Sequence, residues 1–127
     1  MFEVLIIDDT KSVQAFVKAI LAKAKEINVQ SAFDGTEAVE IIRQGRKFDL
    51  IFLDWEMPIL NGPETFKTLR QMGVETPVIM MTTKNASEDI QMMLEAGVAE
   101  YMMKPFTTDI LFEKIQFVTG KEFQRED

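Results

Sequence analysis

The sequence contains no cysteine and no histidine. Without these side chains the chain cannot form a disulfide, a Cys/His zinc site or an iron–sulfur cluster. A Ser-His-Asp relay, a Cys-His relay and a phosphohistidine are excluded as well. Any chemistry of this protein therefore depends on carboxylates, lysines, hydroxyls, backbone amides and a hard metal ion.

The chain also lacks an excess of basic residues and lacks long apolar runs. Its 14 Lys and Arg residues against 21 Asp and Glu residues give a net charge of −7. That balance argues against binding to nucleic acid or to an anionic membrane surface. No apolar run approaches the roughly 20 residues that cross a bilayer, and the N-terminus lacks the features of a signal peptide. We therefore expect a cytoplasmic protein.

What the chain does contain is enough apolar material for one folded domain. It has 127 residues, of which 46% are hydrophobic and 28% are charged. This composition can bury a core and remain soluble. We place the domain at residues 1–120 and expect residues 121–127 to form a short, polar, frayed C-terminal tail.

Three short apolar runs, at 4–7, 50–53 and 78–81, indicate buried strands. Because they are apolar on both faces, they favour a parallel sheet that is covered by helices on both sides. Two weaker runs, at 27–33 and 99–103, suit edge strands. With helices between the strands, the order of elements predicts an α/β fold, a doubly wound five-stranded parallel sheet with five helices.

Helical periodicity fills the gaps between the strands. Apolar residues recur at helical spacing in 13–24, 38–42 and 66–72, and two more helices are expected from Ser87 to Gly97 and over 108–119. Thr36, which follows a glycine, is the predicted N-cap of the second helix.

Polar residues follow four of the five predicted strands. Ligands of an open α/β sheet bind outside the carboxyl ends of the strands. The residues at these ends are Asp8 and Asp9, Asp54, Thr82 and Thr83, and Lys104 and Pro105. Three carboxylates, a hydroxyl and a lysine are therefore expected to converge on one edge of the sheet.

Such a cluster has a definite chemistry. Neighbouring carboxylates repel one another unless a cation compensates, and ligands that offer only oxygen favour Mg²⁺ or Mn²⁺. An Asp can act as a nucleophile and form an aspartyl phosphate, while metal and lysine neutralise the phosphoryl charge. A single Asp after a strand is more often a helix cap, as Asp9 could be, but the coincidence at four strand ends argues against that interpretation.

These segments resemble the receiver domain of bacterial two-component response regulators, and most of all its single-domain chemotaxis forms. The resemblance covers roughly residues 3–119 and implies a flavodoxin-like sheet with strand order 2-1-3-4-5. The matching segments are 5–9, 53–58, 61–62, 77–83 and 99–106.

The resemblance implies a role for each acidic residue at this edge. Asp54 would accept a phosphoryl group from a sensor histidine kinase. Asp9, Asp54 and the backbone carbonyl of Glu56 would hold Mg²⁺ directly, and Asp8 would help mostly through water. The domain would catalyse only its own phosphorylation and dephosphorylation, so we expect no enzyme with an external substrate.

The resemblance also implies a conformational switch. Lys104 would bind a phosphoryl oxygen, and the peptide bond between Lys104 and Pro105 would be cis. Thr82 would swing toward the phosphoryl group, and Tyr101 would move inward as space opens.

Three residues near the predicted site depart from the commonest pattern of the family. Thr83 stands where many receivers have Ala or Gly, and we expect its bulk to narrow access to the phosphoryl group. Glu56 and Lys84 lie two residues beyond Asp54 and Thr82. Our hypothesis is that they pair across the mouth of the site and slow self-dephosphorylation; the alternative is that both are simply solvated.

The fifth helix carries more apolar surface than one core face requires. One apolar stripe suffices for the core face and consists of Leu111, Ile115 and Val118. The core face does not need the remaining apolar residues, which are Ile110, Phe112 and Phe117. In receivers the surface of the fourth helix, fifth strand and fifth helix contacts a protein target or a second receiver, so a homodimer on activation stays open. The contact positions that the resemblance indicates are Ile90, Tyr101, Met103 and Lys114. The alternative is that these side chains merely cover the sheet edge.

Other functions stay open beside the single-domain receiver. The chain could be a receiver from a larger regulator with a separate output domain. An Asp-nucleophile phosphatase of the haloacid-dehalogenase kind is disfavoured, because Pro58 stands where that class wants Thr or Val. A flavodoxin-like nucleotide binder is disfavoured as well, since Asp8 and Asp9 replace a Gly-rich phosphate loop.

Overall fold

Five strands alternate with five helices along residues 1–126, the part of the chain that the computed structural model describes. The strands are β1 (Phe2–Ile7), β2 (Ile27–Ala32), β3 (Leu50–Asp54), β4 (Val78–Thr82) and β5 (Glu100–Met103). The helices are α1 (Lys11–Leu21), α2 (Gly35–Arg43), α3 (Gly62–Gln71), α4 (Ser87–Ala96) and α5 (Thr108–Thr119). All strand pairs are parallel, in the order β2-β1-β3-β4-β5, which confirms the predicted fold class.

The sheet buries both of its faces. Successive strand residues point to opposite sides, so Leu5 and Ile7 of β1 join one apolar cluster while Val4 and Ile6 join the other. Helices α1 and α5 pack on the Val4 side, and α2, α3 and α4 pack on the Leu5 side. The continuous apolar runs of β1, β3 and β4 follow from this two-sided burial.

The N-terminus of α2 differs from the sequence prediction. Its N-cap is Asp34, whose carboxylate accepts a hydrogen bond from the backbone N–H of Glu37. Thr36 lies inside the first turn, and its hydroxyl donates to the same carboxylate at 2.6 Å. The prediction of Thr36 as the cap is therefore wrong, because the Asp34 side chain reaches the orphan amide from outside the helix.

The C-terminal segment is packed rather than frayed. Phe123 is only 9% exposed, and its ring lies 5.1 Å from the ring of Phe2. Nη1 of Arg125 lies 3.0 Å from Oδ1 of Asp109 on α5. The backbone N–H of Glu126 donates to a carbonyl of the loop between α1 and β2. The prediction of a frayed tail is wrong for residues 121–126, and Asp127 lies outside the described residues.

This segment also explains one of the apolar residues of α5. Phe112 is buried, with the Arg125 guanidinium 4.9 Å from its ring centroid. The prediction that Phe112 is surplus to the core is therefore wrong. Ile110 and Phe117 are exposed as predicted, Phe117 to 75%.

No helix in the described part of the chain is both long enough and apolar enough to traverse a membrane.

Candidate functional site

The carboxyl edge of the sheet gathers the polar residues that the sequence singles out. Asp8 follows β1, Asp54 ends β3, Thr82 ends β4, and Lys104 follows β5. Asp8, Asp54 and Thr82 are buried, whereas Asp9 is exposed. The four strands are neighbours in the sheet, so their ends lie side by side.

Lys104 joins the two buried carboxylates. Its Nζ lies 2.8 Å from Oδ1 of Asp54 and 3.1 Å from Oδ2 of Asp8. Its backbone N–H donates to the carbonyl of Thr82 at 2.8 Å, which fixes the start of the β5–α5 loop. The peptide bond from Lys104 to Pro105 is cis, as predicted. The lysine is therefore held over the pair of carboxylates from its backbone as well as from its side chain.

The carboxylates of the site carry more negative charge than the one lysine beside them can neutralise. Burial raises the pKa of Asp54 to about 6, the Lys104 hydrogen bond opposes this rise, and the charge of Asp8 adds to it. Burial pulls the pKa of Lys104 down, but its hydrogen bond to Asp54 and the charges of Asp54 and Asp8 outweigh burial, so the pKa rises overall. One lysine thus does not compensate for the carboxylates around it.

The same residues fit a divalent cation. Asp8, Asp9 and Asp54 each offer a carboxylate oxygen, and these oxygens lie within 4.8 Å of one another. Mg²⁺ prefers such hard oxygen ligands, and the raised pKa of Asp54 marks a place where added positive charge is favourable. The backbone carbonyl of Glu56 as a further ligand stays a prediction.

Asp8 is fixed by partners that sequence reasoning missed. Gln14 of α1 is buried, and its Nε2 donates to the carbonyls of Ile6, Asp8 and Ala32 at 3.1, 3.1 and 2.9 Å. This side chain ties the ends of β1 and β2 together next to the acidic cluster. A polar residue beside the apolar stripe of α1 was the signal that could have revealed it.

The helix cap that competed with the metal site is not formed by Asp9. The N-cap residue of α1 is Thr10, and its backbone N–H donates to Oδ1 of Asp8 at 2.8 Å. Asp9 is thus exposed at the mouth of the site rather than committed to the helix.

The loop from β3 to α3 is held against the end of β3 by a close backbone approach. The N–H of Gly62 donates to the carbonyl of Trp55 at 2.6 Å. A Cβ at position 62 would lie 2.5 Å from the carbonyl oxygen of Asp54 and 2.8 Å from Cα of Trp55. Only glycine fits there, and Asn61 then begins α3 with a capping box to Glu64.

Ile59 in the same loop is a second residue that sequence reasoning missed. Its φ is +70°, in the left-handed region that β-branched residues avoid, and its side chain is 76% exposed. Nothing in the sequence pattern signals it, because isoleucine has no local preference for this conformation.

The mouth of the site is a cleft of about 260 Å³ whose lining includes Asp9, Asp54, Glu56, Thr82 and Lys104.

Lys84 borders this cleft. Its Nζ lies 3.8 Å from Oε1 of Glu56 and 5.6 Å from the centroid of the Trp55 ring. Its backbone N–H donates to the Thr82 hydroxyl oxygen at 2.8 Å. Thr83 is exposed beside it. The structure thus places Glu56 and Thr83 in the lining of the cleft and Lys84 beside Glu56.

The residues expected on a contact surface lie on α4, β5 and α5, away from this cleft. Ile90, Tyr101, Met103 and Lys114 are each half-buried. Nζ of Lys114 lies 5.4 Å from the centroid of the Tyr101 ring. Exposed Ile110 and Phe117 of α5 add apolar surface to this side of the molecule.

Comparison with known proteins agrees with this geometry. The family model of the response regulator receiver domain matches residues 4–116. The chain is 32% identical to a chemotaxis protein CheY homolog of Campylobacter jejuni over 120 residues, which is 93% of this chain and 92% of that protein.

Two further similarities differ in how much of the other protein they cover. The chain is 36% identical to the transcriptional regulatory protein DltR of Streptococcus agalactiae, over 91% of this chain and 50% of DltR. The solved structure of the chemotaxis response regulator CheY4 of Vibrio cholerae superposes with a TM-score of 0.83 at 32% identity, covering 93% of this chain and 98% of that one. The fold, the acidic edge and these similarities lead to one conclusion: this chain belongs to the response regulator receiver domain family.

Proposed function

We propose that this protein is a phosphorylation-controlled switch in which Asp54 accepts a phosphoryl group from a sensor histidine kinase. The observation that carries the proposal is the position of Asp54, buried at a strand end with Lys104 at 2.8 Å and two further carboxylates beside it. Mg²⁺ (or Mn²⁺) is the proposed cofactor, held by Asp8, Asp9, Asp54 and the carbonyl of Glu56. Family membership supports phosphorylation-dependent signalling in general.

The proposed reaction needs little from the protein besides position and charge. A carboxylate oxygen of Asp54 forms a bond to phosphorus, the phosphorus–nitrogen bond of the donor phosphohistidine breaks, and the donor imidazole leaves with that electron pair and takes up a proton. Lys104 neutralises negative charge on the phosphoryl oxygens, and Mg²⁺ when bound supplies further neutralisation. Water later forms a bond to phosphorus, the bond between phosphorus and the Asp54 oxygen breaks, and inorganic phosphate leaves as the carboxylate is restored.

Thr82 and Tyr101 are the proposed switch residues. The Thr82 hydroxyl accepts a hydrogen bond from the N–H of Lys84 in this structure, so turning toward a phosphoryl oxygen would release the β4–α4 loop. Tyr101 lies on the next strand, with Met80 of β4 as its partner in the sheet register. We infer that the two residues respond together and alter the surface formed by α4, β5 and α5.

That surface is the proposed output. Its contact positions are Ile90, Tyr101, Met103 and Lys114, and the exposed Ile110 and Phe117 support a role in binding a protein. A homodimer formed on activation would use the same surface. We propose that signalling occurs by such protein contacts in the cytoplasm, without nucleic acid or membrane as a partner.

The lifetime of the phosphoryl group is the second proposed property of the cleft. We infer that Glu56, Thr83 and Lys84 restrict the water that hydrolyses the aspartyl phosphate. The 3.8 Å approach of Lys84 to Glu56 supports this inference.

Two organisations of the receiver remain alternatives. The chain covers most of the length of a CheY homolog and half of the length of DltR. A single-domain regulator and a receiver within a larger regulator therefore both stay open. Membership in the receiver family favours the switch over an Asp-nucleophile phosphatase.

The single tryptophan provides the test of the proposed function. Trp55 follows Asp54 directly and is buried next to the cleft. We expect its fluorescence to change on addition of Mg²⁺ and to change again with beryllofluoride, which mimics a phosphoryl group on a carboxylate. Asp54→Asn removes the second response, and Glu95→Gln, on the exposed side of α4, keeps it. Wild-type Trp55 fluorescence that changes with neither Mg²⁺ nor beryllofluoride would overturn the proposal.

A further inference from the structure

Lys114 of α5 reaches over the ring of Tyr101 on β5. Its Nζ lies 5.4 Å from the ring centroid, within the range of a cation–π contact. The same Nζ lies 3.6 Å from Oε2 of Glu100. The Lys114 and Glu100 side chains are only 29% and 18% exposed, so water and salt screen these interactions less than on an open surface.

Glu100 fixes the lysine in this place. Its other carboxylate oxygen accepts a hydrogen bond from the backbone N–H of Tyr101 at 2.9 Å. β5 is an edge strand, and this hydrogen bond satisfies an amide that points away from the sheet. The carboxylate is thereby attached to the strand next to the tyrosine, and it holds the ammonium of Lys114 near the ring.

From this geometry we propose that Lys114 is a positioning residue that holds the ring of Tyr101 in its half-exposed position. The inference rests on the proposed function, in which Tyr101 moves when Asp54 is phosphorylated. A ring that leaves its present position gives up its attraction to the ammonium, so the contact opposes the move. Lys114 and Glu100 thus set how easily the switch operates, besides any part Lys114 has in binding a target.

The expected size of the effect is modest and measurable. A cation–π contact at a partly exposed site biases the two positions of the ring by about two- to fivefold. Removing the ammonium should therefore raise the population of the alternative ring position by this factor. By linkage, the apparent affinity for beryllofluoride should rise by up to the same factor.

Tyr101 is the only tyrosine of the chain, so its ring can be observed alone. Protein grown with ring-¹³C tyrosine gives one set of aromatic NMR resonances. In protein without Mg²⁺ or beryllofluoride, we expect Lys114→Gln to move these resonances toward the position that beryllofluoride produces in the wild type. Glu100→Gln should move them in the same direction, and Lys114→Arg, which keeps a cation over the ring, should restore the wild-type position.

The control is Lys67→Gln, which removes an exposed lysine from α3 and should leave the resonances unchanged. Identical Tyr101 resonances in the wild type and Lys114→Gln would overturn the inference, as would a shift that Lys114→Arg fails to reverse. The proposed function fails separately: it predicts that beryllofluoride moves the wild-type resonances. If Lys114→Gln moves the Tyr101 resonances and beryllofluoride does not, the result supports the contact between Lys114 and Tyr101 and contradicts the proposed switch.

Discussion

Nζ of Lys84 lies 3.8 Å from Oε1 of Glu56, a residue that lines the cleft containing Asp54. One residue belongs to the loop after β4 and the other to the loop after β3. The lysine also lies 5.6 Å from the Trp55 ring, which limits the positions it can adopt. Glu56 lines the cleft together with Asp54, so the pair stands beside one approach from the solvent to Asp54.

We therefore expect the double variant Glu56→Asn/Lys84→Ala to lose its phosphoryl group faster than the wild type. An exposed ion pair contributes about 0–1 kcal/mol, so the increase in rate is up to about fivefold. The measurement is the half-life of the aspartyl phosphate after the donor has been removed. The control is Glu40→Asn/Arg43→Ala, which breaks an exposed pair of similar geometry on α2. Equal half-lives in all three proteins would show that the pair beside the cleft has no such role.

The raised pKa of Asp54 predicts how stability depends on pH in the metal-free protein. Its pKa rises from 3.8 in the unfolded chain to about 6 in the folded state, so the folded state binds the proton more tightly. Stability from this group is therefore fully present below the unfolded pKa of 3.8 and is lost as the pH rises from there through about 6. The expected loss in the free energy of unfolding is roughly 2–3 kcal/mol.

Asp54→Asn should remove this dependence, because asparagine does not ionise. In denaturant titrations without metal, the variant should match the wild type near pH 4 and exceed it at pH 8. Saturating Mg²⁺ should stabilise the wild type at pH 8 by binding the folded state. A wild type that becomes more stable between pH 4 and pH 7, relative to Asp54→Asn, would contradict the assignment.

The packed C-terminal segment predicts a large effect at an otherwise unremarkable position. Phe123 contacts Phe2 and belongs to the apolar cluster between the sheet, α1 and α5. Phe123→Ala should lower the free energy of unfolding by about 3 kcal/mol. Phe117→Ala, the same change at a side chain that is 75% exposed, should stay within about 0.5 kcal/mol of the wild type. Equal values for the two variants in urea titrations would mean that the segment is not docked in solution.

Gly62 predicts a link between the β3–α3 loop and metal binding. A Cβ there would collide with the carbonyl of Asp54 and with Trp55, so Gly62→Ala has to move the loop that carries Glu56. We expect weaker Mg²⁺ binding, measured by Trp55 fluorescence, together with a lower melting temperature. Pro63→Ala changes the next residue without this collision and should keep the wild-type affinity. If Gly62→Ala is folded and binds Mg²⁺ with the wild-type affinity, metal binding does not depend on the conformation of this loop.

The strands and the acidic edge could be predicted because they depend on local patterns. Runs that are apolar on both faces indicate a parallel sheet directly, and the carboxyl ends of such strands have to meet at one edge. That rule alone predicts that Asp8, Asp54, Thr82 and Lys104 lie together. No knowledge of individual side-chain contacts is needed.

The predictions that were wrong or missing concern residues whose surroundings depend mostly on contacts between distant segments. Phe112 is buried because residues 121–126 fold back over α5, and a polar segment gives no sign of this by its composition. The N-cap of α2 depends on whether Asp34 or Thr36 lies outside the first turn. The sequence pattern does not locate the start of a helix to within one or two residues. Gln14 has a role because three carbonyls converge on it in three dimensions, and Ile59 adopts a conformation that its residue type disfavours.

The central claim is that Asp54 accepts the phosphoryl group in a reaction that needs a divalent cation. Its most direct test is the intact mass of the protein after incubation with acetyl phosphate, with Mg²⁺ or with EDTA, followed by peptide mapping. We predict that the wild type gains one phosphoryl group with Mg²⁺, on the peptide that contains Asp54, and that EDTA or Asp54→Asn prevents the gain. A wild type that stays unmodified with Mg²⁺, or that carries the group on another residue, would contradict the account.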